Sequence, residues 1–272
     1  MKTDPQSVHD AQLRDFYLAL SRAWGPQHWW PARSRFEVIA GAFLTQNTSW
    51  TNVERALGQL RHARLLSVDG IRQTSLARLE QLVRSAGYYR QKAQRLKNFV
   101  CYLDRRYGGS LARMFAQPTP RLRSELLELN GIGPETADSI LLYAGGHEAF
   151  VVDTYTRRVL ERHGLAQSNT PYDEIRLSFE RALAAVATGN MGAAANPGRP
   201  ATHAPSPASR LRRSPLAQVF NEMHGLIVRV GKNHCLKVLP RCHECPLARF
   251  PCLLPPSGAF SHPRNVPRKR RI

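Results

Sequence analysis

The sequence has no apolar run approaching the roughly 18 residues that a membrane-spanning helix requires. Its first residues, MKTDPQSVHDAQ, carry no apolar stretch of the secretory-signal kind. The expected location is therefore cytoplasmic, and nucleoid-associated if the source is bacterial. Period-two alternation is scarce and no repeat of solenoid length occurs, which leaves little room for a strand-rich or repeat architecture. Acidic side chains are few: 20 Asp and Glu against 39 Lys and Arg give a formal net charge of +19 and a pI near 10.7. Such an imbalance points to a polyanionic partner, with nucleic acid as the first candidate. Cysteines number only five, and four of them crowd into Cys235–Cys252. That distribution excludes a spread disulfide framework and reads as one metal site. What is present in ordinary measure is apolar content, 42% of 272 residues, enough for one large or two modest cores.

Helical periodicity dominates up to about residue 185. Phe36, Ile39, Ala40, Phe43 and Leu44, then Trp50, Val53 and Leu57, mark a helical period broken near Asn47-Thr48. Further helices are predicted over 10–24, 75–85, 89–106, 121–129, 135–144, 154–163, 171–186 and 216–230. Cys101 falls within such a pattern and is expected to be a buried thiol. Residues 187–215 change composition to small residues, Gly and Pro, and read as a disordered insertion. Residues 254–272 form a basic tail able to add phosphate contacts.

Three motifs carry chemistry. In RLRSELLELN-GIG-PETADSILLYA, two glycines flank Ile132 between apolar helices, so Gly131, Ile132 and Gly133 form a tight turn. Its N–H groups and the next helix start could clasp a DNA phosphate without reading sequence. An αα-hairpin with no ligand is the competing reading. The cysteines Cys235, Cys242, Cys245 and Cys252 give C-x6-C-x2-C-x6-C, a spacing open to zinc or to a [4Fe–4S] cluster. Asp153 follows the apolar run 150–152 at a helix start, where a carboxylate either caps the helix or does chemistry.

Together these segments resemble the endonuclease III superfamily of helix-hairpin-helix DNA glycosylases. The likeness extends through FEVIAGAFLTQNTSWTNVERAL, AGYYRQKAQRL, FVVDTYTRRVL and the cysteine loop, in family order, over about 11–185 and 216–253. It implies a mostly α, two-lobed fold: a six-helix barrel at 35–145, and a cluster-bearing lobe from 11–34 plus 146–253. It also implies double-stranded DNA with damaged bases as partner, base flipping, a monomer, and a [4Fe–4S] cluster with zinc as the minor alternative. The last cysteine interval is one residue longer than is common in the family. Asp153 is implied as the catalytic carboxylate. Gln46 and Tyr88 are implied as DNA contacts that fill the vacated stack, with Lys232 facing phosphate near the cysteines.

One position departs from the bifunctional pattern G-[IV]-G-x-K-T-A. Here Glu135 stands where those enzymes carry the Schiff-base lysine, and a carboxylate cannot form an imine. Lys92 and Lys97 are nearby in sequence but do not match that position. A Pro-Glu helix start is a sufficient structural explanation of Glu135. The resemblance adds another, because the 3-methyladenine DNA glycosylase III branch also has glutamate there. That branch implies a base pocket of Trp29 and Pro31 against Trp50, beside Glu135. Cationic purines such as 3-methyladenine or 7-methylguanine suit aromatic faces and a negative wall. The expectation is a monofunctional glycosylase for alkylated purines. The alternatives are a glycosylase/AP lyase for oxidised pyrimidines or mismatches, and a non-catalytic iron–sulfur protein that binds DNA structure.

Overall fold

In the computed structural model, residues 5–188 and 205–253 are described. Twelve α-helices occur among them and no strand does. The helices are α1 (Pro5–Trp24), α2 (Arg35–Leu44), α3 (Trp50–His62), α4 (Val68–Gln73), α5 (Leu76–Leu82) and α6 (Tyr89–Tyr107). After them come α7 (Leu111–Phe115), α8 (Thr119–Leu127), α9 (Pro134–Ser139), α10 (Thr154–Arg162), α11 (Tyr172–Ala187) and α12 (Pro215–Asn233). No helix among the described residues is long and apolar enough to cross a membrane.

Local chemistry sets many of the boundaries. Ser34, Ser67, Ser75, Ser110 and Ser214 each turn a hydroxyl onto an unpaired N–H in the first turn of the following helix. The periodic pattern over 36–57 resolves into α2 and α3, with the break at 45–49 where expected. The short helices α4 and α7 have too few turns to register as periodicity. Cys101 is exposed, contrary to expectation. Phe99, Val100 and Leu103 define the buried stripe of α6, and position 101 falls off it.

The helices form two lobes. In one, α2 packs on α3, α6 and α9, while α6 also meets α4, α5 and α7. In the other, α1, α10 and α11 gather on α12 or on one another. Arg123 on α8 ties the two together: its guanidinium reaches the fully buried Asp138 of α9 at 2.8 Å and Asp173 of α11 at 2.7 Å. A charge pair this dry holds its geometry, because removing either partner strands the other.

Part of the expected insertion is ordered. Residues 205–214 make turns against the loop between α1 and α2. The Ser206 hydroxyl donates to the Trp30 carbonyl at 3.0 Å, and the Ala208 N–H donates to the Ala32 carbonyl at 3.0 Å. Arg213 reaches the Tyr143 carbonyl at 3.3 Å. Small-residue composition there reflects close packing rather than disorder. The remainder of that insertion, 189–204, and the basic tail 254–272 lie outside the described residues.

Lys92 is the least expected core residue, at 1% exposure. Its ammonium donates to the carbonyls of Leu44 at 2.9 Å and Ala86 at 2.7 Å, closing the end of α2. Burial, with Arg95 second, lowers its pKa to about 8. Lys92→Met removes the donor from two buried carbonyls, and urea unfolding should show a loss of about 3 kcal/mol.

Candidate active site

The site forms where the hairpin, the start of α10 and the middle of α12 converge. Gly131 has φ of 83°, a left-handed value that favours glycine, and the Arg95 side chain would have to move to admit a Cβ. Gly133 is extended and open, with nothing near an added Cβ. Ile132 is buried between the helices, and its N–H is already bonded to the Leu129 carbonyl at 3.0 Å. The turn therefore does not present an unbroken run of free N–H groups.

Gln46 lies directly behind this turn. Its amide donates to the Gly131 carbonyl at 2.9 Å and to Thr136 Oγ1 at 3.0 Å, while Arg95 donates to its carbonyl oxygen. In this state Gln46 braces the hairpin. Tyr88 is different: it is 67% exposed, in left-handed backbone after Gly87, and opens α6 without a side-chain cap. An exposed aromatic at a helix start is free to stack on a base.

Asp153 caps α10 and faces the site at once. Its Oδ1 accepts from the Thr156 N–H at 2.7 Å and the Thr156 hydroxyl at 3.0 Å. Its Oδ2 lies 3.5 Å from His224 Nε2, an electrostatic contact rather than a formed hydrogen bond. Burial pushes the Asp153 pKa up, but His224 and Thr156 together outweigh it and hold the group below the usual carboxylate value. His224 is 4% exposed, and its Nδ1 pairs with the Tyr143 hydroxyl at 2.5 Å. Burial first, then the charges of Asp153 and Glu135, raise the Tyr143 pKa well above normal, so its hydroxyl stays a donor.

Glu135 has the opposite environment. It opens α9 and is an exposed residue, the first of that helix to carry a charge. Burial, and then repulsion from Asp153, raise its pKa to about 7 against weaker pulls from His224 and Arg157. The two carboxylates are thus shifted in opposite directions.

The aromatic wall is built from Trp29, Trp30 and Trp50. Trp30, at 7% exposure, meets Trp50 edge-on at 5.2 Å and Tyr143 at 5.2 Å. Trp29 instead leans toward His224, with its Nε1 beside the Tyr143 hydroxyl but not in a regular hydrogen bond. Pro31 is exposed. The expected sandwich of Trp29 and Pro31 against Trp50 is therefore not preformed; Trp30 occupies the place next to Trp50. Two glycines seat these rings. Gly41 leaves room for Trp30, and Gly225 for Trp29, where an added Cβ would approach to 3.2 and 3.0 Å. Lys232 lies 5.7 Å over the Trp29 ring, in a groove with Gln27, Arg229 and Asn233.

The four cysteines sit together beyond α12. Cys245 feels the charges of Cys235, Cys242 and Cys252, and burial raises its thiol to about 11. Arg162 donates to Cys235 Sγ at 3.1 Å, placing a cation beside the would-be thiolates. Among the described residues no trio of His, Cys, Asp and Glu is drawn in as tightly as a bound metal ion requires.

The model of the HhH-GPD superfamily of base excision DNA repair proteins matches residues 40–185, more than half of the chain. The chain belongs to this superfamily. A Methanocaldococcus jannaschii protein named as a DNA repair glycosylase is 40% identical over 239 residues, 87% of this chain and 94% of its own. Endonuclease III of Thermotoga maritima is 30% identical over 210 residues, 77% and 79% of the two chains. Among solved structures, Helicobacter pylori 3-methyladenine DNA glycosylase (MagIII) bound to 1,N6-ethenoadenine superposes with a TM-score of 0.65 at 29% identity. It covers 82% of this chain and 97% of that one. The chain is thus a base-excision-repair DNA glycosylase of the HhH-GPD type, acting on damaged DNA.

His224, Tyr143, Thr156, Gly41 and Gly225 escaped the sequence reading. His224 alone left a trace there, as a lone polar ring in the apolar run MHGLIV. Asp153→Asn keeps a capping oxygen for Thr156 but discards the charge. Its melting temperature should stay within a few degrees of the parent while single-turnover base release falls by about 10³-fold.

Proposed function

We propose that this glycosylase is monofunctional and hydrolyses the N-glycosidic bond of cationic alkylated purines such as 3-methyladenine and 7-methylguanine. The observation that carries the reading is Glu135 in the first turn after the hairpin, near enough to Asp153 to feel its charge. As the base departs, C1′ becomes cation-like, and the Asp153 carboxylate stabilises it and orients the attacking water. In its ionised form Glu135 attracts a positively charged base, and the Trp50–Trp30 wall offers aromatic surface for it. Trp29 and Pro31 line the approach and are assigned to the same pocket.

The amines support the absence of a Schiff-base route. Lys92 is spent on two carbonyls, and Lys97 donates to the carbonyls of Arg72 and Thr74. Lys232 is assigned to DNA phosphate, as are the backbone groups at Gly131–Gly133, with Tyr88 and Gln46 at the vacated stack. The MagIII likeness, to a 3-methyladenine glycosylase holding a purine adduct, favours purines over oxidised pyrimidines. The lobe limits 35–145 and 11–34 with 146–253 belong to the same proposal.

Cys235, Cys242, Cys245 and Cys252 are the residues that would hold a [4Fe–4S] cluster. Four mutually interacting thiols beside Arg162 fit such a group in donor chemistry. Bound there, it would supply structural closure of the chain after α12, and no catalytic step passes through it.

A panel of single-lesion duplexes tests the substrate. Release of 7-methylguanine with none of thymine glycol is the expected outcome; the reverse pattern would sink the proposal. Borohydride should trap less than about 1% of the enzyme on a lesion duplex, since no amine takes the nucleophile's place. Purified protein should contain about four irons, with thiolate-to-iron absorbance in the visible, and Cys245→Ser should lose both.

A further inference from the structure

We propose that His224 is a positioning residue for the glycosylase reaction: held at Nδ1 by the Tyr143 hydroxyl, its ring fixes Oδ2 of Asp153, so that the carboxylate keeps one orientation toward the sugar. This rests on the reading of Asp153 as the catalytic carboxylate and does not depend on which base is released.

Thr156 alone does not orient the Asp153 carboxylate. Its N–H at 2.7 Å and its hydroxyl at 3.0 Å both end on Oδ1. One anchored oxygen caps α10, but the carboxylate plane can still turn about it. A contact on the other oxygen is what fixes that plane. Oδ2 is met by His224 Nε2 at 3.5 Å. The gap is about half an ångström beyond hydrogen-bond length, and contacts of this kind tighten when a site fills.

His224 can hold Oδ2 because it is anchored itself. It lies on α12, which packs against α10, and is 4% exposed. The rings of Phe150 and Trp29 stand 6.3 Å from its own, edge-on. Its Nδ1 pairs with the hydroxyl of Tyr143 at 2.5 Å, and Tyr143 is fully buried in the π turn. The ring thus spans from the interior to the carboxylate with little freedom to swing.

The competing explanation is an ordinary core histidine satisfied by Tyr143. Its second nitrogen argues otherwise. Nε2 is buried without a hydrogen-bond partner, and it points at the one carboxylate oxygen that Thr156 leaves uncovered. An aliphatic side chain, like Leu226 and Ile227 just beyond it, would fill the space without burying an unpaired nitrogen. A lone pair set against a carboxylate repels it, so the contact is favourable only with a proton between Nε2 and Oδ2. With both oxygens held, the negative charge stays aimed where the sugar becomes cation-like.

Duplexes carrying a pyrrolidine or a tetrahydrofuran in place of the lesion nucleotide separate orientation from folding. Both fill the same space, but only the pyrrolidine, cationic at neutral pH, mimics the charge that develops at C1′. The wild type should bind the pyrrolidine duplex at least about 10²-fold tighter than the tetrahydrofuran duplex. His224→Leu should cut that preference about 10-fold, with tetrahydrofuran affinity and melting temperature little changed. Tyr143→Phe keeps the ring but releases Nδ1, and should cut the preference about threefold. His224→Gln can set its amide nitrogen near the place of Nε2, and should stay within about threefold of the wild type. A full preference in His224→Leu, or equal weakening of both duplexes, overturns the proposal. If His224→Leu does not fold, an unchanged preference in Tyr143→Phe overturns it instead. Asp153→Asn, measured alongside, keeps two failures apart. A preference that survives Asp153→Asn overturns the reading of Asp153, and with it this proposal. One lost in Asp153→Asn but kept in His224→Leu overturns the role of His224 alone.

Discussion

Two carboxylates facing one crowded cleft cannot both carry full charge unless their surroundings distinguish them. Here the distinction is made on one side only. Thr156 hydrogen-bonds the Asp153 carboxylate and His224 stands 3.5 Å from it, with Tyr143 in turn holding the histidine. Glu135 receives the burial and the repulsion without the compensating donors. The two carboxylates are thus shifted in opposite directions, Asp153 toward its anion and Glu135 toward its acid form.

Everything around the pair serves to keep those groups in register. The chain continues from α9 into a π turn over Ile140–Gly145, and this widened turn places Tyr143 in the interior facing His224. Such turns rearrange a helix face where a function needs it. The small residues of α2 and α12, Gly41 and Gly225, let two indoles approach the backbone closely. Residues 205–214 then lock the loop that carries Trp30 through Ser206 and Ala208. The aromatic wall is therefore supported by both lobes and by a segment distant in sequence from each ring.

Much of the fold was legible because long amphipathic helices repeat a signal many times. Helices α1, α6, α11 and α12 fall within a few residues of their expected limits, with α1 beginning earlier. The ordered turns at 205–214 were not legible, since Ser, Pro and Ala compose close-packed loops and disordered linkers alike. The choice between Trp29 and Trp30 was also beyond local pattern. Adjacent residues in a loop have no fixed period, and the seat at Gly41 decides which ring turns toward Trp50. Gln46 shows a similar gap: its position could be read, but its bond to Gly131 could not.

The sequence by itself determined the helical class, the hairpin turn that favours glycine at Gly131, and the carboxylate in place of an amine at Glu135. These are properties of residue type and spacing, and no packing alters them. Only the tertiary structure decided in which direction each carboxylate is shifted, which tryptophan meets Trp50, and that Lys92 belongs to the core. Each of those outcomes depends on desolvation and on donors supplied by helices remote in the chain, and neither quantity exists until the helices have packed.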